Sequence, residues 1–128
     1  DYIHAELQES DQYYREDACR RALSKQDYDV VLVDGPPASQ RGNCRSRLGF
    51  QKYVGHFRKN TVIIFDDVNR WWDCLNLLQT FFRLRRDVVI IEEGYRRCAV
   101  LTQDRPNFDT LLRLTYLLLT SFPYKYDP

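Results

Sequence analysis

Two apolar runs that end in acid constrain this chain more than any other feature. The first is "YDVVLVDGPP", residues 28 to 37, and the second is "NTVIIFDDVNR", residues 60 to 70. Each core run is short, β-branched and continuous rather than alternating. That pattern belongs to strands covered on both faces, as in parallel sheets. The runs predict strands over 28–33 and 61–65. Asp34 closes the first, and Asp66 and Asp67 close the second. In open parallel sheets, ligands bind beyond the carboxyl ends of the strands. If the two strands are neighbours they lie roughly 4.8 Å apart, and the three acids then crowd one rim.

The remaining segments fit around those strands. Residues 2 to 5 read as a short strand. Residues 10 to 24 read as a helix with Ser10 as cap, acids early, and Arg20 and Arg21 late. "DGPPASQRGN" is a loop by its Gly, Pro, Ser and Asn content. Residues 45 to 58 read as a helix with Leu48, Tyr53 and Phe57 near one face. Residues 69 to 84 are the clearest helix, with Trp71, Leu75, Leu78 and Phe82 at helical spacing and Trp72 and Phe81 beside them. "DVVII" and "CAVLT", separated by "EEGYRR", form an antiparallel hairpin. Residues 107 to 120 form a leucine-rich final helix. The expected architecture is a three-layer α/β domain of the Rossmann-like kind. Its sheet is mostly parallel with an antiparallel C-terminal hairpin. One domain spans 1–128: a core over 1–106, then a helix and tail over 107–128.

Three carboxylates on one rim repel unless something offsets them. A hard divalent cation such as Mg²⁺ takes oxygen ligands in this way. Alternatively Arg41, Arg45 or Arg70 pairs with them and the cluster is an ion-pair network, or the acids contact a substrate. The residues leave these readings open. Fifteen of the 19 cations are Arg, which suits planar recognition of anions.

Composition narrows the partners. Nineteen cations against 18 acids give a net charge of +1, too little for a broad nucleic-acid footprint. No apolar run reaches the ~18 residues of a membrane span. The opening "DYIHAEL" does not read as a signal sequence, and none is expected. Cys19, Cys44, Cys74 and Cys98 show no CxxC spacing. They read as reduced thiols rather than a zinc site, and favour a reducing, cytoplasmic compartment.

The pair "VVLVDGPP" and "VIIFDDVNR" resembles the fourth and fifth strands of class I S-adenosylmethionine-dependent methyltransferases. "DVVIIEEGYRRCAVLT" is similar to the terminal hairpin of that family, and "YIHAEL" to its third strand and the turn after it. The resemblance covers roughly residues 2 to 102 and implies the family's C-terminal half. It implies methyl transfer from S-adenosylmethionine to an oxygen or nitrogen of a small-molecule or glycan acceptor. By that resemblance Asp34, Asp66 and Arg70 stand at the catalytic rim, and Glu6 and Asp34 on the cofactor side. Asp34, Asp66 and Asp67 match the metal ligands of the Mg²⁺-dependent members. Where those members carry a lysine base, this chain has Pro37, leaving Lys52, His56 and Lys59 as other candidates.

The family grips its cofactor with a Gly-rich turn after the first strand, and none of Gly35, Gly42, Gly49, Gly55 and Gly94 forms one. The expectation is therefore a sheet incomplete at its N-terminal side, part of a longer protein, with the edge of "YDVVLV" unpaired. From a different class comes a non-catalytic interaction module. It would pair as a homodimer, through that edge or through the 107–120 helix. A permuted receiver domain and a nucleotide-sugar transferase fit less well, because the acids come in the wrong order and no Asp-x-Asp is present.

Overall fold

The computed structural model describes residues 7–8, 13–25, 27–35 and 46–121. In chain order the strands are β1 (Leu7–Gln8), β2 (Tyr13–Tyr14), β3 (Val30–Val33), β4 (Val62–Phe65), β5 (Val88–Glu93) and β6 (Arg96–Leu101). The helices are α1 (Glu16–Lys25), α2 (Trp71–Leu84) and α3 (Phe108–Thr120), and two 3₁₀ segments span Ser46–Lys52 and Val54–His56. The main sheet has the order β3-β4-β6-β5, and β1 pairs with β2 apart from it.

The fold is α/β, but the sheet is mixed rather than mostly parallel. Among the described residues β3 and β4 run parallel, while β4–β6 and β5–β6 are antiparallel. The hairpin sets this balance. Glu93 faces Arg96 across a two-residue turn, and Gly94 takes φ 61° as its first residue. A positive φ there matches the twist of the flanking strands, and Gly adopts it without a Cβ clash.

The register sorts the sheet into two faces. Val31, Val33, Ile63, Phe65, Val88, Ile90, Ala99 and Leu101 share one face by pairing and alternation. They pack with Phe50 and Tyr53, with Cys74, Leu77 and Phe81 of α2, and with Leu114 and Leu117 of α3. The opposite face is equally apolar, yet Val30, Leu32, Val89 and Ile91 on it are exposed. The continuous runs predict two covered faces, and the described residues cover one.

Other segments also differ from expectation. The predicted strand at 2–5 lies outside the described residues, as does the Ser10 cap. Helix α1 starts at Glu16 rather than residue 10, because Tyr13 and Tyr14 are held in the ladder with Leu7 and Gln8. Its exposed face carries Arg20–Glu16 and Arg21–Asp17 pairs one turn apart. The predicted helix over 45–58 appears as 3₁₀ segments. Gly49 explains part of that local geometry: the Tyr13 ring lies where its Cβ would be, with Cγ 2.3 Å from that position.

Helix α2 has the predicted length but buries another stripe. Asp73, Cys74, Asn76, Leu77, Thr80 and Phe81 face inward, while Phe82 is exposed. Buried polar groups are tolerated when hydrogen-bonded. Gln51 Nε2 donates to Asn76 Oδ1 at 2.7 Å and to Thr80 Oγ1 at 2.6 Å, closing that face on the first 3₁₀ segment. The helix ends at Arg85, φ 53°, whose N–H donates to the Phe81 carbonyl.

Helix α3 is started by a capping box between Asn107 and Thr110. It docks through Leu114 and Leu117 and leaves Leu111, Leu112, Leu118 and Leu119 in solvent. Among the described residues, no helix is long and apolar enough to cross a membrane.

Candidate functional site

The parallel pairing of β3 and β4 puts both strand ends on one side of the molecule. The Asp66 N–H donates to the Val33 carbonyl at 3.2 Å, so Asp34 and Asp66 emerge side by side. Asp67 then takes φ 57°, a left-handed conformation that Asp tolerates better than most residues. The turn closes when the Arg70 N–H donates to the Asp67 carbonyl at 3.0 Å. As a result one carboxylate oxygen each from Asp34, Asp66 and Asp67 lies within 4.8 Å of the others. Adjacency of the two strands, the condition on which the sequence reading rested, gathers these acids.

Arginine holds them. The Arg47 side chain is 5% exposed and lies 3.6 Å from Asp34, 3.7 Å from Asp67 and 3.2 Å from Asp73. Its guanidinium also donates to the Asp34 carbonyl at 3.4 Å. Arg70 pairs with Asp67 and lies 3.9 Å from Asp73. The Asn76 amide donates to the Arg47 carbonyl at 3.0 Å, so the buried polar face of α2 positions the Arg47 backbone. Arg41 and Arg45, the other arginines predicted to pair, lie outside the described residues. So does Glu6.

The site contains residues that the sequence reading missed: Arg47, Asp73 and Cys98. Arg47 is one of 15 arginines, and only the fold singles it out. Asp73 had a local signal, since it sits three residues after Arg70 in the first turn of α2, where acids favour the helix dipole. Cys98 had none without the β6 register. Its thiol donates to Asp66 Oδ1 at 3.0 Å.

The electrostatics differ from acid to acid. The Cys98 thiol and the Asp67 N–H, which donates at 2.8 Å, hold the Asp66 carboxyl below its ordinary range. Asp73 goes the other way. Burial pushes it up to about 6, against the pull of Arg47 and Arg70. Burial, then the adjoining Asp66 carboxylate, pushes the Cys98 thiol up to about 11. Arg96 also acts on Asp66 and Asp67, so fully ionised the four acids exceed the guanidiniums of Arg47, Arg70 and Arg96 by one negative charge. Asp34, with a 54% exposed side chain, presents that charge to solvent.

A cavity of about 350 Å³ opens next to Asp34, between α1 and β3. Tyr13, Tyr14, Phe50 and Tyr53 make its aromatic wall. Tyr53 is a weak acid there, raised to about 12 chiefly by burial. The three base candidates named from sequence, Lys52, His56 and Lys59, are all exposed. His56 lies against the Tyr53 ring, 6.5 Å between centroids.

No family model, no curated protein and no solved structure matches this chain.

Proposed function

We propose that this chain forms the acceptor side of a class I S-adenosylmethionine-dependent methyltransferase, acting on an oxygen or nitrogen of a small-molecule or glycan acceptor. The observation that carries the reading is the convergence of Asp34, Asp66 and Asp67 at the carboxyl ends of two adjacent parallel strands. The order β3-β4-β6-β5, with its antiparallel hairpin, supports it by agreeing with the second half of that family's sheet. When bound, S-adenosylmethionine supplies an electrophilic methyl group on a sulfonium. The residues on this chain orient the acceptor. Ionised Asp34 and Asp66 accept hydrogen bonds from its hydroxyl or amine. Asp66, held below the usual carboxylate range, favours orientation over proton uptake. Arg47 and Arg70 fix the acids in place rather than touch the acceptor.

Asp34, Asp66 and Asp67 also offer three hard oxygen donors to Mg²⁺, one from each residue, within 4.8 Å. Arg47 and Arg70 compete for the same Asp67 oxygens. The arginine-balanced cluster is therefore the resting arrangement, and the excess negative charge is what would draw a cation. A second reading, an interaction module, draws support from the exposed leucines of α3.

The test is calorimetry with S-adenosylmethionine, followed by methyl-label transfer. A polypeptide that adds a Gly-rich cofactor turn to this chain should bind the cofactor, and the 128 residues alone should not. Asp34→Asn and Asp66→Asn in the longer protein should lower label transfer by about 10²-fold or more while leaving cofactor affinity intact. Absence of cofactor binding by the longer protein would refute the reading.

A further inference from the structure

The cavity beside Asp34 has the size and the lining of a small-molecule site. Its volume of about 350 Å³ falls within the ~300–1,000 Å³ of ordinary ligand pockets. It follows β3 from Val31 to Gly35, a span of roughly 13 Å at strand spacing. Its aromatic walls are seated on glycines. The Tyr13 ring occupies the place of a Gly49 Cβ, and the Tyr14 hydroxyl that of a Gly35 Cβ. The Tyr13 and Tyr14 rings meet edge to face at 5.3 Å, and Tyr13 lies against Tyr53 at 6.1 Å. Tyr13, Phe50 and Tyr53 are all buried, so packing fixes the wall before any ligand arrives.

Charge is placed at one end. Asp34 is the sole Asp, Glu, Lys or Arg among the described residues that line the cavity. It stands at the carboxyl end of β3, and the Tyr14 hydroxyl lies against Gly35 beside it. Arg47 approaches Asp34 from the buried side and divides its charge among Asp34, Asp67 and Asp73. The Asp34 side chain stays half exposed. Helix α1 adds two apolar groups, Ala22 and Leu23. The Tyr53 hydroxyl and the Cys19 thiol hydrogen-bond each other, which spends both within the wall.

We infer that the cavity binds an aryl-alkyl ammonium ion, its ring against Tyr13, Phe50 and Tyr53 and its nitrogen at Asp34. Buried aromatic walls favour a planar apolar body. Tyrosine faces attract a cation, and a carboxylate accepts charge-assisted hydrogen bonds from an ammonium group. A carboxylate or phosphate ligand would meet like charge at Asp34 and no lysine or arginine in the described lining. A glycan would set hydroxyls against apolar walls that offer them no partner. Binding goes beyond the methyl-transfer reading and does not depend on it; only the naming of this ion as the methyl acceptor rests on that reading.

The experiment titrates the 128-residue chain at neutral pH with phenethylammonium, and with phenethyl alcohol and hydrocinnamate as neutral and anionic isosteres. Calorimetry and amide chemical shifts are the readouts. The ammonium ion should bind about tenfold or more tighter than the alcohol and shift the amides of Val31 and Val33, and hydrocinnamate should not displace it. Asp34→Asn should bring the ammonium ion down to the level of the alcohol, with alcohol binding retained because the apolar walls are intact. Ala22→Phe, at a part-exposed position of α1, should fill the cavity, keep the circular dichroism spectrum and lose both ligands. The inference is overturned by ammonium binding weaker than about 1 mM, by equal affinity for ammonium ion and alcohol, or by binding that Ala22→Phe leaves unchanged. Displacement of the ammonium ion by S-adenosylmethionine would overturn it too, assigning the cavity to a sulfonium. Failure to bind the amine leaves the cofactor test on the longer protein standing, so the two readings fail separately.

Discussion

The Arg47 guanidinium lies 3.2 Å from the Asp73 carboxylate, and both side chains are only 5% exposed. The pair joins the first 3₁₀ segment to the start of α2, directly beneath the acids that end β3 and β4. A buried guanidinium is costly to desolvate and is retained only when carboxylates and carbonyls surround it. Here Asp34, Asp67 and Asp73 do so, with the Asp34 carbonyl. The rim acids and the core of the domain are thus one electrostatic unit.

Removing the cation should expose that dependence. Arg47→Met leaves Asp73 buried with only Arg70, 3.9 Å away, to offset it, and should destabilise the domain by about 3 kcal/mol. Asp73→Asn in the same chain should restore part of the loss, because the uncompensated buried charge is gone. Urea unfolding of the two single variants and the double variant checks this. Equal, additive losses would show that the two residues are not coupled.

The raised Asp73 carboxyl has a definite sign. A group held near 6 when folded, and near 3.9 when unfolded, binds its proton more tightly in the native state. Its contribution is full below pH ~4 and is lost as pH rises through about 6. Wild type should therefore lose stability relative to Asp73→Asn across that window, on the order of 3 kcal/mol. Thermal melts of both proteins at pH 4, 5, 6 and 7 measure the difference, and a gap independent of pH would contradict it.

Cys98 should be a slow nucleophile. Its thiol is held up to about 11 and donates to Asp66, and the thiolate is the reactive form. Iodoacetamide at pH 8 should modify Cys98 well below the rate of a free thiol. Asp66→Asn should speed that reaction by removing the negative charge beside the sulfur. Peptide mass spectrometry over a time course reads both rates. A rate unchanged by the substitution would dissociate the two groups.

Gly49 is predicted to resist even alanine. Its missing Cβ is occupied by the Tyr13 ring, with Cβ and Cδ2 both at 2.7 Å from the ideal position. Gly49→Ala must displace a buried aromatic ring and should cost about 1–3 kcal/mol. Gly94→Ala at the hairpin meets no neighbour but must hold φ 61°, so its cost is conformational and smaller, about 1 kcal/mol. Denaturant midpoints of the two variants should fall in that order.

Much of the fold was legible locally. Strands β3 and β4, the hairpin, and helices α2 and α3 lie close to their sequence-based bounds. Each is set by nearby signals: β-branched runs, Gly94 in a turn, Asn107 as cap. The segments that differed are those where a distant contact decides. Tyr13 and Tyr14 pair with Leu7 and Gln8 instead of extending α1. The buried face of α2 includes Asn76 and Thr80, which an apolar count assigns to solvent, because Gln51 satisfies them from 25 and 29 residues away.

The site divides along the same line. The sequence by itself determined that two apolar runs would end in acid, at Asp34 and at Asp66 and Asp67; the parallel pairing of β3 with β4 brings those ends together. Only the tertiary structure decided what holds them. Arg47 reaches Asp73 across 26 positions of sequence, and Cys98 reaches Asp66 across 32. Tertiary structure also decided that one sheet face stays bare. Hydrophobicity states that a side chain favours burial, but which surface covers it depends on where every other element packs.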